Sequence, residues 1–390
     1  MDILLTTYME TLLQQTVSSF YRYMYNQISW QSRMFGLVGP RGVGKSTMIL
    51  QYIKEHRDSH KMFYVSADHL YFSSHTLVDL VDEFAKEGGE QIFIDEIHKY
   101  ENWSRELKQI YDCHPNMKVG FTGSSVLDIY KGYADLSRRA PIFMMQGLSF
   151  REYLMLFHKI APPVFSLNDI LEHKAKLKEV EHPLPLFYDY LKRGYYPFSI
   201  ENDFEMRLRQ VVNQSMEVDI PLYANMNAST GRKLKKLLAV IAKSVPFKPV
   251  MDSIATIIGV SRNVLPDYFL YMEQAGMIGQ LRDDTGGIRG VGKIEKVYID
   301  NPSLAFFLGG EAADRGNIRE TFFYNQMRVT TDVISSRISD FEIDGITFEV
   351  GGRKKGKKQI SSATKGYVVK DDIELGSGNI LPLWAFGLTY

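Results

Sequence analysis

The octapeptide Gly39-Pro-Arg-Gly-Val-Gly-Lys-Ser46 constrains this chain more than any other stretch. It satisfies G-x-x-x-x-G-K-[ST] at every fixed position. Its flanks agree: the apolar run 34–38 is expected as a buried strand and 47–53 as a helix. Glycines let the backbone close round a phosphate, and the N–H groups opening the helix point at the anion. Gly39, Pro40, Arg41, Gly42, Val43, Gly44, Lys45, Ser46 and Thr47 are therefore the expected nucleotide-binding residues. Lys45 suits the β/γ-phosphates of ATP, and Ser46 suits an accompanying Mg²⁺.

A second element completes that expectation. Ile92-Phe-Ile-Asp-Glu96 is an apolar strand ending in two acids, one βα unit beyond the octapeptide. Asp95 is placed to hold Mg²⁺ through its water shell. Glu96 is placed to polarise the attacking water. The next strand ends Gly120-Phe-Thr-Gly-Ser-Ser125. Ser124, with Thr122 and Ser125 beside it, either lies between the γ-phosphate and that water or caps the following helix. Arg138 and Arg139 either stabilise charge on the transferring phosphoryl group, in cis or from a neighbouring copy, or form a solvated rim.

The remaining features bound the architecture. Strands at 34–38, 62–66, 91–95, 118–122 and 142–146 alternate with helices, which predicts a parallel sheet covered on both faces, an α/β fold. Residues 3–29 read as one or two helices, and 165–240 as mostly helical. At 251–258 and 262–274 two helices flank a short Gly turn; a hairpin at 277–281 and 293–299 completes a winged helix-turn-helix pattern. The expected domains are 1–160 (nucleotide core), 161–240 (helical lid), 241–308 (winged helix) and 309–390 (a last α/β domain). With 46 basic and 46 acidic residues, no global field favours nucleic acid. The single cysteine, Cys113, excludes an internal disulfide framework. No secretory leader and no apolar run of about 18 residues is found, so a cytoplasmic location without membrane contact is expected.

Together these pieces resemble a family of prokaryotic AAA-type, STAND-like ATPases with a C-terminal domain related to the PD-(D/E)XK nuclease fold. Besides the motifs above, Gln146-Gly-Leu-Ser-Phe-Arg-Glu152, Arg193-Gly-Tyr-Tyr-Pro197 and the tail from Glu320 carry the likeness. The resemblance implies an ATP-hydrolysing protein that drives or gates rearrangement of its C-terminal domains, in a homo-oligomer or as a slow nucleotide-gated switch. It implies that Gly194 and Pro197 belong to a lid motif on the adenine base, with Tyr195 where a second glycine is common. It also implies nuclease-type acids at Glu320, Asp340 and Glu349, the last two as a Mg²⁺ pair. The expected lysine position is Gly351, a departure that leaves only Lys354 or Lys355 as substitutes. Cleavage of DNA is therefore not expected. The basic run Arg353-Lys-Lys-Gly-Lys-Lys358 either meets a nucleic-acid backbone or is a solvated loop.

Overall fold

The computed structural model describes residues 1–58, 61–123, 136–243, 248–284, 292–310, 313–356 and 358–390. These form two compact units, Met1–Gln146 and Gly147–Tyr390.

The first unit is built on five parallel strands: β1 (Met34–Val38), β2 (Met62–Ser66), β3 (Gln91–Asp95), β4 (Lys118–Gly123) and β5 (Ile142–Met144). Their spatial order is β2-β3-β4-β1-β5, so β4 lies between the strand that precedes the glycine loop and the strand that ends in the two acids. β1, β2 and β3 are buried along their whole length, as strands covered on both faces must be. Helices α1 (Ile3–Gln15), α2 (Lys45–His56), α3 (Leu77–Lys86) and α4 (Trp103–Cys113) belong to the same unit. A capping box of Thr76 and Asp79 starts α3. Trp30 stacks on Tyr52 at 4.1 Å and meets Phe35 and Phe93 edge-on, fixing α2 against the sheet.

Two expectations shift here. Helix does not run through 3–29: α1 stops at Gln15, and only a single 3-10 turn, Tyr23–Asn26, follows. The intervening Thr16-Val-Ser-Ser19 is rich in weak helix formers. The fifth strand ends at Met144, not 146, because the Gln146 N–H turns to the Tyr23 hydroxyl at 3.3 Å.

In the second unit, helix Met251–Ile258 ends at Gly259, whose φ of +71° reverses the chain. A 3-10 turn Arg262–Val264 then leads into helix Leu265–Gln274, whose second residue is Pro266. β6 (Ile278–Arg282) and β7 (Ile294–Ile299) follow as an antiparallel pair. Helix Arg315–Met327, nearly all buried from Asn317 onward, precedes a second sheet. That sheet contains β8 (Ile334–Ser335), β9 (Phe341–Ile343), β10 (Ile346–Gly351), β11 (Gly366–Lys370) and β12 (Ile380–Pro382), in the order β12-β11-β10-β9-β8. β8, β9 and β10 pair antiparallel; β10, β11 and β12 pair parallel. Phe323 sits among Phe341, Phe348 and Phe386 and joins the helix to the sheet.

Candidate nucleotide-binding site

The glycine loop leaves β1 and enters α2 in a shape that depends on positive φ angles. Gly39, Gly42 and Gly44 stand at +154°, +78° and +96°. A Cβ on Gly39 would sit 2.1 Å from the Met145 carbonyl oxygen, so only glycine fits there. Lys45, the first residue of α2, is 5% exposed. Its Nζ donates to the Gly39 and Pro40 carbonyls at 2.8 and 2.9 Å. Burial lowers its pKa to about 8, against the raising influence of Glu96 and Asp95. Ser46 is half-buried and Thr47 exposed at the same helix start.

The acids stand at the carboxyl end of β3. Asp95 is 4% exposed, and both its oxygens are held. Thr122, at the end of β4, donates to Oδ1, and the Tyr64 hydroxyl donates to Oδ2 at 2.6 Å. Burial, then the Asp95 charge, keeps the Tyr64 phenol well above its ordinary pKa. Thr122 Oγ1 also accepts the Glu96 N–H at 3.1 Å. Glu96 itself has φ +49°, a strained setting for a non-glycine residue, which turns its carboxylate out of the strand direction. Glu96 Oε2 lies 3.7 Å from Arg41 of the loop and 3.4 Å from His98 Nε2. The loop, Asp95, Glu96 and Thr122 thus converge at one end of one sheet. The donor set of Ser46 and Asp95 is hard oxygen, which fits Mg²⁺.

Ser124 and Ser125 lie outside the described residues. Arg138 is exposed; Arg139 pairs with Asp112 at 3.1 Å and lies 5.7 Å over the Tyr111 ring. Pro197 opens a short 3-10 turn in the second unit. Before it, Tyr195 and Tyr196 are buried, with the Tyr195 N–H on Ser303 Oγ at 3.2 Å. At that unit's sheet, lysines meet the expected acids. Lys296 Nζ of β7 donates to Asp340 at 2.9 Å and Glu320 at 3.3 Å. Asp340 Oδ2 also accepts the Val350 N–H at 3.0 Å. Glu349 is fully buried; Ser339 donates to it, and Lys355 pairs with it by lying over Gly351. Among the described residues no group of three or more His, Cys, Asp or Glu is arranged to hold a metal ion. Lys354 is exposed.

Sequence reasoning missed Tyr64, His98 and Arg22. Arg22 is 4% exposed; it donates to the Val43 carbonyl of the loop and to the Gln146 carbonyl at 2.7 Å. It ties the loop to the chain leaving β5.

A glycine loop between a strand and a helix, with a strand-end acid pair one strand removed, defines a P-loop nucleotide-binding fold. Residues 31–154 match the AAA domain family, and the chain carries an AAA-type, nucleotide-binding ATPase domain. Residues 184–314 match a domain family of unknown function. Among solved structures, the chain is similar to a Walker-type ATPase of Pyrococcus abyssi at 14% identity and a TM-score of 0.42, covering 71% of this chain and 91% of that one. It is similar to AMPPCP-bound DnaA from Aquifex aeolicus at 11% identity and a TM-score of 0.26, covering 70% and 89%. A katanin structure matches at 15% identity and a TM-score of 0.27, covering 68% and 81%. No curated protein matches the chain. No helix among the described residues is long and apolar enough to cross a membrane.

Proposed function

We propose that this protein hydrolyses ATP with Mg²⁺ and uses the cycle to drive or gate rearrangement of the region that follows the nucleotide domain. The observation that carries the reading is the shared hydroxyl of Thr122, which holds Asp95 and the Glu96 backbone together at the end of the sheet that bears the P-loop. Phosphoryl transfer asks little covalent chemistry of a protein; it needs positioned phosphates and an oriented water. Loop N–H groups and Lys45 take the phosphates. Ser46 and Asp95 would hold Mg²⁺, which supplies charge neutralisation between the β- and γ-phosphates. Glu96 takes the proton of the water.

Two variants test this. Lys45→Ala should abolish or severely weaken ATP binding, because the loop loses the one ammonium it aims at the phosphates. Glu96→Gln should bind ATP like the wild type and turn over at least ~100-fold more slowly, the effect of losing a general base. ATP affinity unchanged in Lys45→Ala would overturn the site, and an unchanged single-turnover rate in Glu96→Gln would move the base elsewhere.

The contacts of Arg41 and His98 with Glu96 favour a second reading, a slow nucleotide-gated switch. A carboxylate engaged by an arginine and a histidine is a poorer base until they move. Under that reading turnover stays slow at every protein concentration. The winged-helix and nuclease-like readings of the second unit are proposals of the same kind, supported by the helix-turn-helix-hairpin order and by the acids just before β9 and on β10.

A further inference from the structure

The Tyr64 phenol has no part in the reading above, yet it touches the acid assigned to the metal. Its hydroxyl donates to Asp95 Oδ2 at 2.6 Å. A phenol has one proton to give, and here it goes to a carboxylate lone pair. With Thr122 donating to Oδ1, each Asp95 oxygen accepts one hydrogen bond and keeps a further lone pair for a metal-bound water.

We propose that Tyr64 is a positioning residue for the metal: its hydroxyl fixes the orientation of the Asp95 carboxylate that would receive the metal's water. The proposal rests on the nucleotide reading of the P-loop. Rigidity supports it. Tyr64 is 3% exposed and lies on β2 in parallel register with Phe93 of β3, two residues before Asp95. Its backbone N–H is held by Met9 Sδ at 3.3 Å. A ring so placed stays beside Asp95. The other Asp95 oxygen is held by Thr122, so loss of the phenol leaves the acid anchored but free to rotate about that single bond.

The test separates metal from nucleotide. ATP affinity is measured by calorimetry on the full chain, with Mg²⁺ and with EDTA, for wild type and Tyr64→Phe. The expected result is that Tyr64→Phe keeps its EDTA affinity within about twofold, while the gain on adding Mg²⁺ falls about tenfold, the scale of one hydrogen bond to a charged group. An undiminished Mg²⁺ gain overturns the proposal. A larger gain also overturns it, since the phenol would then be competing with the metal. Loss of the EDTA affinity assigns Tyr64 to the shape of the pocket and overturns it as well. Wild-type protein that binds no ATP under either condition defeats the nucleotide reading instead, a distinguishable outcome.

Discussion

Burial holds the Lys45 ammonium at a pKa of about 8, and this has a consequence for binding. A bound polyphosphate favours the charged form and raises that pKa. Protein that has lost the proton must recover it on binding. ATP affinity should therefore be flat below pH 8 and fall as pH rises from 8 toward about 10, with net proton uptake in that window. Calorimetry at pH 8.5 in two buffers of different ionisation enthalpy measures the uptake. A pH-independent affinity up to pH 10 would show that the lysine is already fully charged in the free protein. The P-loop residues themselves were legible in the sequence because their contacts are local: Lys45 bonds carbonyls five and six residues away. Arg22 and Tyr64 were not, since their partners lie 21 and 31 residues off and depend on strand order. An arginine before a strand and a tyrosine inside one carry no local signal of either role.

At the scale of elements, Lys296 joins three pieces of the second unit. It sits on β7, while Glu320 belongs to helix Arg315–Met327 and Asp340 precedes β9. Burial disfavours its charge, but Glu320 and Asp340 outweigh that and raise its pKa. Burial and Asp340 likewise raise Glu320. Removing the lysine alone strands two carboxylates. Lys296→Met should destabilise the unit by about 3–5 kcal/mol, the cost of breaking a buried pair. Adding Glu320→Gln should recover part of the loss. Hydrogen exchange along Arg315–Met327 reports it; unchanged protection in Lys296→Met would make the cluster a solvated ornament. The sequence reading put Glu320 on a helix and Glu349 on a strand, where they lie, but sought their lysine at Gly351 or in the following loop. Lys355 does reach Glu349 from that loop. Lys296 could not be foreseen, because it arrives from a hairpin that the sequence assigns to another domain.

At the scale of the whole molecule, the same lysines bear on what the second unit does. With Lys296 against Glu320 and Asp340, and Lys355 on Glu349, a cation entering there must displace an ammonium already in place. The purified protein should not cleave duplex DNA with Mg²⁺. Cleavage that disappears in Asp340→Ala and Glu349→Ala but survives in Lys45→Ala would establish a nuclease independent of the ATPase. Assembly is tested by dilution. If Arg138 or Arg139 serves a neighbouring copy's nucleotide, specific ATPase activity should drop as protein is diluted and recover on concentration. Activity that stays flat, with a monomer confirmed by light scattering, favours the switch. Of the architecture, the parallel sheet was legible from the alternation of apolar runs with helical patterns. The grouping of everything after Gln146 into one compact unit was not, because it rests on buried aromatics such as Phe323 whose partners are scattered along the tail.

Thr122 gives its proton to one acid and its lone pair to the backbone of the next. Valine has the same outline and suits a strand equally well. A random library would therefore treat position 122 oddly: the substitution closest in shape would be among the worst tolerated, while serine, smaller and a poorer strand former, would pass. Similarity of shape and similarity of use part company at this one side chain. Divergent copies of this domain can repaint the sheet around it freely, provided a hydroxyl remains there.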